Sequence, residues 1–315
     1  MTILPIFSDI QTAHDRIRPF IHRTPVLTSK SINQIVGAEL FFKCENFQKV
    51  GAFKFRGACN SVLALSDEEA KKGVCTHSSG NHAAALALAA RMRGIPAYIV
   101  MPENAPEIKK KAVAGYGAQI TFCEPTLAAR ESTLKKVAAE TGATEIHPYN
   151  YFNVICGQGT AAKELIEETG QLDILMAPVG GGGLLSGTAI SAKAMLPDVR
   201  VIAAEPAGAD DAFRSFQSKT LQPSVNPKTI ADGLLTSLGS LTFPIIQNEV
   251  DQIVTVSEES IIAAMRMIWE RMKIIIEPSS AVPLAAILEN KVNVKGKKVG
   301  IILSGGNVDL GRLPF

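Results

Sequence analysis

Short apolar runs rich in β-branched residues alternate along the chain with longer segments in which apolar residues recur at helical spacing. The apolar runs predict strands at Gly73–His77, Ala97–Met101, Ala118–Phe122, Ile174–Val179, Val199–Ala204, Ile253–Val256 and Val299–Leu303. The amphipathic segments predict helices at Asn81–Arg93, Pro106–Ala114, Leu127–Thr141, Val154–Thr169, Leu184–Leu196, Glu258–Lys273 and Pro278–Glu289. Near-continuous apolar strands between helices are typical of parallel strands covered on both faces. The pattern therefore predicts an α/β fold with crossover helices.

The order of these elements predicts two domains. A compact strand–helix–strand–helix–strand block runs from about Gly73 to about His147. We interpret residues 73–147 as a small mobile domain inserted into a large discontinuous domain of residues 1–72 and 148–315. Clefts between such domains favour ligands.

Composition and charge argue against several functional classes. Hydrophobic residues make up 46% and charged residues 20% of the 315 residues, as in a globular enzyme with a sizeable core. A net charge of +2 provides no electrostatic reason to expect nucleic acid or an acidic membrane surface. No apolar run reaches the roughly 18 residues of a membrane span, and the N-terminus lacks the basic region of a secretory signal. The 5 cysteines form no CxxC pair, which predicts reduced, mostly buried thiols in a cytoplasmic protein.

Four consecutive glycines, Gly180–Gly183, join a predicted strand to a predicted helix. Backbone N–H groups at a helix N-terminus can cradle a phosphate, and glycines let the backbone approach it closely. The run is neither GxGxxG, because position 185 is leucine, nor a P-loop, because no Gly-Lys-Ser/Thr follows. It favours a single phosphate monoester over a nucleotide, with a flexible turn as the alternative.

Three other segments carry candidate chemistry. Lys54 lies in the run Gly-Ala-Phe-Lys-Phe-Arg-Gly, and an amine in a tight, partly apolar turn can lose its proton and form a Schiff base with an aldehyde. Ser78-Ser79-Gly80-Asn81-His82 follows a strand, and its N–H groups and hydroxyls suit a carboxylate. Ser304 ends the last strand. A solvated surface lysine and a helix cap are the alternatives for the first two. Together with the glycine loop, these segments outline a pyridoxal phosphate site.

Nearly the whole chain resembles the fold-type II pyridoxal-phosphate enzymes, most closely the serine racemase and serine/threonine dehydratase group. The motifs that carry the resemblance are Gly-Ala-Phe-Lys-Phe-Arg-Gly, Ser-Ser-Gly-Asn-His, Gly157-Gln158-Gly159-Thr160, the tetraglycine loop, Ala231-Asp232-Gly233 and Ser304-Gly305-Gly306-Asn307. The resemblance implies two three-layer α/β domains, as in the tryptophan synthase β subunit, with the active site in the cleft between them. It also implies a homodimer that acts on a small amino acid.

The resemblance implies a role for each matching residue. For the cofactor, Lys54 would form the Schiff base, Phe53 would pack against the ring, and Gly233 would lie beside it. Asn81 would bond the phenolic oxygen, and Ser304 would bond the pyridine nitrogen. The phosphate would accept hydrogen bonds from the N–H groups of Gly180, Gly181, Gly182, Gly183 and Leu184. The substrate carboxylate would be received by Ser78, Ser79, Gly80, Asn81 and His82. A serine at position 304 gives the cofactor ring only a hydrogen bond, which favours β-elimination or reprotonation over transamination.

Position 79 bears on the choice between racemisation and dehydration. Both reactions would start with removal of the Cα proton by Lys54, and racemisation needs a second proton donor on the opposite face. The resemblance implies that Ser79 is this donor. Catabolic threonine dehydratases typically carry alanine at the corresponding position. The expected function is therefore a serine racemase that also eliminates water from serine and related β-hydroxy amino acids. The alternatives are a threo-3-hydroxyaspartate or threonine dehydratase with little racemase activity, and a non-enzymatic binding protein, against which Lys54, Ser79 and Ser304 argue.

Two further features, an arginine and a possible metal site, refine this expectation. Arg130 could approach a second substrate carboxylate, which would favour hydroxyaspartate, although a surface arginine is an equal alternative. Glu205, Ala209 and Asp211 match the serine racemase metal pattern Glu-x-x-x-Ala-x-Asp and would hold Mg²⁺, Ca²⁺ or Mn²⁺ through oxygen ligands. A solvated acidic loop is the alternative for that stretch.

A nucleotide site is a separate question. Lys49 and Tyr116 match the positions that contact ATP in animal serine racemases. Those enzymes, however, carry Gly-Gln after Asn-His, where this chain has Ala83-Ala84. The lost glutamine argues against activation by ATP.

Overall fold

The structure, a computed structural model, describes residues 3–315 and contains two sheets. Its strands are β1 (Val26–Leu27), β2 (Glu39–Cys44), β3 (Val74–His77), β4 (Ala97–Pro102), β5 (Gln119–Cys123), β6 (Thr144–Glu145), β7 (Ile174–Pro178), β8 (Arg200–Pro206), β9 (Gln252–Val256) and β10 (Lys298–Leu303). The 6-stranded sheet has the order β1-β2-β10-β7-β8-β9, and the 4-stranded sheet has the order β5-β4-β3-β6. Every pairing is parallel except that of β1 with β2.

Helices connect these strands. They are α1 (Phe7–Ile17), α2 (Lys30–Val36), α3 (Lys54–Leu63), α4 (Asp67–Lys72), α5 (Asn81–Arg93), α6 (Glu107–Gly115), α7 (Leu127–Thr141), α8 (Phe152–Thr169), α9 (Gly183–Met195), α10 (Asp211–Ser218), α11 (Thr242–Glu249), α12 (Glu258–Met272) and α13 (Pro278–Leu288). The predicted α/β class with parallel, helix-connected strands is confirmed.

The larger sheet lies between two layers of helices because its strands are apolar on both faces. Along β7, Ile174 and Met176 pack into a core shared with α12 and α13, whereas Leu175 and Ala177 pack into a core shared with α8 and α9. Alternate side chains of a strand point to opposite faces, so the continuous apolar run fills both cores.

The strands and helices predicted from periodicity are all present, with ends that shift by at most two residues. Apolar periodicity predicts no element before Gly73, yet that segment contains α1, β1, α2, β2, α3 and α4. The reason is that α3 buries Arg56, Asn60 and Ser61 alongside its apolar residues, and β2 buries Lys43. Polar residues that are buried by pairing remove the apolar periodicity on which such a prediction depends.

The fold bears on membrane spans and on the thiols. Within residues 3–315, no helix is both long and apolar enough to cross a membrane. All five cysteines are buried and unpaired, as predicted: Cys44, Cys59, Cys75, Cys123 and Cys156.

Candidate active site

The predicted site residues follow the carboxyl ends of strands from both sheets. The glycine loop follows β7, Ser304 follows β10, and the Ser78–His82 loop follows β3. Ligands of open α/β sheets bind at this end, where loops from neighbouring strands converge. Residues that are far apart in sequence are thus expected to converge at these strand ends.

Lys54 is the first residue of α3 and directly follows a short 3₁₀ turn and Phe53. Its Nζ donates a hydrogen bond to the Pro148 carbonyl at 2.9 Å and lies 5.1 Å from the centroid of the Phe53 ring. Burial lowers the pKa of Lys54 to about 8, while the nearby Glu277 carboxylate acts in the opposite direction. About a tenth of the amine is therefore neutral at pH 7, far more than for a solvated lysine with a pKa of about 10.4, and this neutral form is the one that a nucleophilic lysine requires.

The glycine loop forms a buried turn into α9. Gly182 has a φ of +86°, a conformation that favours glycine, and Gly183 opens the helix without a side-chain cap. A methyl group on Gly181 would overlap the Tyr149 ring, and one on Gly180 would lie 2.9 Å from the Leu234 Cα atom. The N–H groups at this helix end are uncapped, which suits a phosphate.

Ser304 and Gly233 lie in segments that pack against this region. The Ser304 hydroxyl is 3.1 Å from the Ser280 hydroxyl, and the Ser304 carbonyl accepts a hydrogen bond from the Phe53 amide at 2.9 Å. The Gly233 amide donates to Ser279 Oγ at 3.2 Å, and the Gly233 carbonyl lies close to Gly180. Phe53, Gly233 and Ser304 are thereby brought together with the glycine loop.

The Ser78–His82 loop leads into α5, which begins at Asn81 without a side-chain cap. Ser79 is half-buried in this loop, beside Gly80. Asn81 Nδ2 donates to both carboxylate oxygens of Glu277 at 3.2 and 3.1 Å. Because Glu277 also lies close to Lys54, this contact places the loop beside the lysine.

The His82 side chain is buried behind the loop. Its Nε2 lies 3.0 Å from the Ile146 carbonyl, and its Nδ1 has no hydrogen-bond partner among the described residues. Burial, with a smaller contribution from the Lys54 charge, lowers the pKa of His82 to about 3. The ring is therefore neutral, and the backbone N–H of His82 is the group that an anion at the start of α5 could use.

Sequence reasoning missed Glu277. This residue occupies the N-cap position of α13 without a capping hydrogen bond from its side chain. It is almost fully buried and accepts a hydrogen bond from the Asn307 amide at 3.2 Å in addition to those from Asn81. Burial raises the pKa of Glu277 to about 7. Its position before Pro278 at a helix start was the available signal, but that signal indicates a helix boundary rather than a site.

A row of aromatic rings was also missed. His77 and His147 pack edge to face with centroids 6.3 Å apart, and His147 packs the same way on Tyr149 at 4.5 Å. Tyr149 in turn covers Gly181 and Gly183. Burial, and to a smaller extent the charge of Arg130, lower the pKa of His77, so Arg130 lies near the outer end of this row.

Glu205 and Asp211 form a buried carboxylate pair around the turn that contains Ala209. Glu205 accepts hydrogen bonds from the Ala212 and Phe213 amides at 3.0 and 2.8 Å. Neither Asp211 oxygen has a well-oriented hydrogen-bond partner in the described part of the chain, although the Ser224 hydroxyl lies nearby. Burial raises the pKa of Glu205 to about 9 and that of Asp211 to about 6.

This pair fits a hard cation. Two buried carboxylates that form no salt bridge among the described residues are destabilised, and a divalent ion with a backbone carbonyl and water would compensate them. Across residues 3–315, no set of three or more His, Cys, Asp or Glu side chains could hold a metal by side chains alone. Backbone oxygen, such as that of Ala209, would thus be needed.

The two nucleotide-contacting positions have other partners in the fold. Lys49 Nζ lies 5.7 Å from the centroid of the Phe55 ring. Tyr116 packs against the core formed around α3 and α5. These contacts neither require nor preclude a nucleotide, so the expectation that ATP does not activate the enzyme stays a prediction.

Comparison with known proteins identifies the family. The model of the family described as pyridoxal-phosphate dependent enzyme matches residues 17–305. The chain belongs to the pyridoxal-phosphate dependent enzymes. The lysine of lowered pKa, the uncapped glycine loop and the buried Ser304 fit that cofactor.

Relatives of this pyridoxal-phosphate enzyme include racemases and ammonia-lyases. A β-hydroxyaspartate dehydratase of Paracoccus denitrificans is 54% identical over 99% of both chains. The serine racemase of Dictyostelium discoideum is 55% identical over 96% of this chain and 94% of its own. The crystal structure of the Dictyostelium enzyme superimposes with a TM-score of 0.94, at 55% identity, over 97% of this chain and 99% of that chain. An L-threo-3-hydroxyaspartate ammonia-lyase of Saccharomyces cerevisiae is 50% identical over 98% of this chain and 96% of its own.

Proposed function

We propose that this enzyme interconverts the enantiomers of serine and also eliminates water from L-serine and related β-hydroxy amino acids, to yield a 2-oxo acid and ammonia. The observation that carries the proposal is the contact of Asn81 with Glu277 beside Lys54, because it brings the Ser79 loop to the lysine. A base and a hydroxyl near one carbon atom are what inversion at that carbon needs.

Each site residue would then have its own role in binding or in proton transfer. When bound, pyridoxal phosphate would withdraw electrons from the substrate Cα–H bond. Lys54 would bind it and move the α proton on one face, and Ser79 would deliver a proton on the other. The uncapped N-terminus of α9 would hold the phosphate, Ser304 the ring nitrogen, and the N-terminus of α5 the substrate carboxylate.

A dehydratase that prefers threo-3-hydroxyaspartate is the second candidate. Arg130 is half-buried near His77, and its Nε has no hydrogen-bond partner among the described residues. A substrate with a second carboxylate could use this guanidinium. The relatives that act on hydroxyaspartate, described above, also support this candidate.

The substitution Ser79→Ala tests the main proposal. We expect D-serine formation from L-serine to fall by roughly 100-fold or more, within the range of lost acid–base catalysis, while pyruvate formation changes little. The measurement is a panel of L-Ser, D-Ser, L-Thr and threo-3-hydroxyaspartate, scored for 2-oxo acid and for inverted amino acid. Ser78→Ala is the matched control, which we expect to weaken both reactions equally. Equal loss of both reactions in Ser79→Ala would refute the assignment.

We further propose that Glu205, Asp211 and the Ala209 carbonyl hold Mg²⁺ or Ca²⁺ as a structural ion. Addition of Mg²⁺ to EDTA-treated protein should raise the Tm, because the ion binds only the folded chain. Asp211→Asn should abolish this rise, whereas Asp210→Asn should keep it, since Asp210 instead pairs with Arg214 at 2.8 Å. A Tm that Mg²⁺ and Ca²⁺ leave unchanged in the unsubstituted protein would contradict the site.

The remaining expectations concern the cellular form of the enzyme. We propose a cytoplasmic homodimer, supported by the composition and by the family resemblance. Light scattering of the purified enzyme distinguishes a dimer from a monomer of 33.6 kDa.

A further inference from the structure

Arg56, two residues after Lys54, belongs to a buried cluster of four charged side chains. Its members, Lys43, Glu45, Arg56 and Glu164, have side chains that are at most 2% exposed. Two positive and two negative charges balance one another. Burial of such groups is tolerated only when pairing and hydrogen bonds satisfy them.

Arg56 at the centre of this cluster uses all of its N–H groups. Nε and Nη2 donate to the two Glu45 oxygens at 2.7 and 2.8 Å, and Nη1 and Nη2 donate to the two Glu164 oxygens at 2.9 and 2.8 Å. Nη1 also donates to Thr160 Oγ1 at 3.1 Å. Two such bidentate contacts fix both the position and the plane of the guanidinium, which a lysine ammonium could not do.

The cluster joins three elements that support the candidate active site. Arg56 is in the first turn of α3, which begins at Lys54. Glu45 follows β2, whose last residue pairs with Leu303, the neighbour of Ser304. Glu164 and Thr160 belong to α8.

Glycine contacts extend this link to the phosphate cradle. A methyl group on Gly157 of α8 would lie 2.6 Å from the Gly57 Cα atom of α3. A methyl group on Gly187 of α9 would lie 2.5 Å from the Gly159 amide nitrogen of α8. The three helices thus touch through backbone, and α9 begins at the glycine loop. A shift of α3 would be transmitted directly to the distance between Lys54 and the loop.

We propose that Arg56 is a positioning residue for Lys54: through Glu45 and Glu164 it holds the first turn of α3 in place relative to the phosphate-binding loop and Ser304. This inference rests on the proposed function, in which Lys54 binds the cofactor and moves the α proton. A misplacement of about 1 Å in such a group can lower the rate by roughly 100-fold. Arg56 itself touches neither substrate nor cofactor in this proposal.

The test uses purified, cofactor-loaded Arg56→Lys, which keeps the charge but loses the two bidentate contacts with Glu45 and Glu164. We expect kcat to fall by roughly 10- to 100-fold with a smaller change in KM. We also expect the pH midpoint of the visible absorbance of the Lys54-bound cofactor to shift, because that midpoint reports the surroundings of the lysine. Thr160→Val, which removes one of the hydrogen bonds and no charge, should shift both quantities in the same direction by less. If Arg56→Lys does not fold, the Thr160→Val variant alone tests the positioning role.

Ile268→Ala is the matched control for a loss of stability alone. Ile268 is fully buried in α12, in the core on the other side of the larger sheet from α8 and α9. Its variant should lower Tm without shifting the absorbance midpoint. Wild-type kcat within twofold and an unshifted midpoint in a folded Arg56→Lys or Thr160→Val protein would overturn the inference. A wild-type protein with no borohydride-reducible absorbance would instead overturn the proposed function.

Discussion

At the scale of single residues, the Glu277 carboxylate influences the pKa of Lys54. Burial lowers the pKa of Lys54 to about 8 and raises that of Glu277 to about 7, so both groups are shifted toward their neutral forms. The charged form of Glu277 raises the pKa of Lys54 and thereby limits the fall. The carboxylate thus helps to set the pH at which the amine becomes nucleophilic.

The substitution Glu277→Gln should move the pH profile of cofactor capture to lower pH. Only neutral Lys54 attacks the aldehyde, so in the wild-type apoprotein the capture rate should rise with pH and level off above about 8. Removal of the carboxylate lowers the pKa of Lys54 further, and the plateau should begin earlier. Stopped-flow absorbance after addition of pyridoxal phosphate measures this. Glu68→Gln, on an exposed turn of α4, is the control, and an upward or absent shift in Glu277→Gln would contradict the argument.

At the scale of elements, the segment Gly157-Gln158-Gly159-Thr160 of α8 packs closely against two other helices. Gly157 faces α3, Gly159 faces α9, and Gln158 Oε1 accepts a hydrogen bond from the Gly57 amide at 3.1 Å. Small residues at these positions permit backbone contact, which larger side chains would prevent. The motif that helped to reveal the family therefore acts here through packing.

Gly157→Ala should lower the free energy of unfolding by about 1–3 kcal/mol, because the added methyl group meets the backbone of α3 rather than a flexible side chain. Urea unfolding followed by circular dichroism measures the change. Gly115→Ala is the matched control: it lies at the end of α6, where a methyl group would meet no atom within 4 Å. That control should be neutral or slightly stabilising, and an equal effect of the two substitutions would contradict the packing role.

At the scale of the whole molecule, a few polar contacts connect the part built on the smaller sheet to the rest. Asn81 of α5 bonds to Glu277 and accepts a hydrogen bond from Asn307 at 2.9 Å. Lys109 of α6 forms an ion pair with Asp232 at 2.9 Å. Since α5 would bind the substrate carboxylate, we propose that these contacts hold α5 in the position that receives the substrate. The domain boundaries at 73 and 147 stay a prediction.

Lys109→Asp should raise KM severalfold, because like charges would then push α6 away from Asp232 and disturb the contact between the two parts. Its effect on the free energy of unfolding should stay within about 1 kcal/mol, since the pair is solvent-exposed. The charge-swapped pair Lys109→Asp with Asp232→Lys should restore much of the wild-type KM. Steady-state kinetics at low and high salt measure this. A charge swap that is no better than the single substitution would argue against the ion pair.

The sequence by itself determined the parallel α/β framework, the glycine loop, the candidate lysine and the family resemblance, because apolar periodicity and glycine runs are local signals. Only the tertiary structure revealed Glu277 beside Asn81, 196 residues away, and the pairing of Arg56 with Glu45 and Glu164. Burial of a charged side chain is stable only when its partners surround it, and those partners come from distant segments. The fold also set the pKa of Lys54, since a desolvation shift depends on everything packed around the amine.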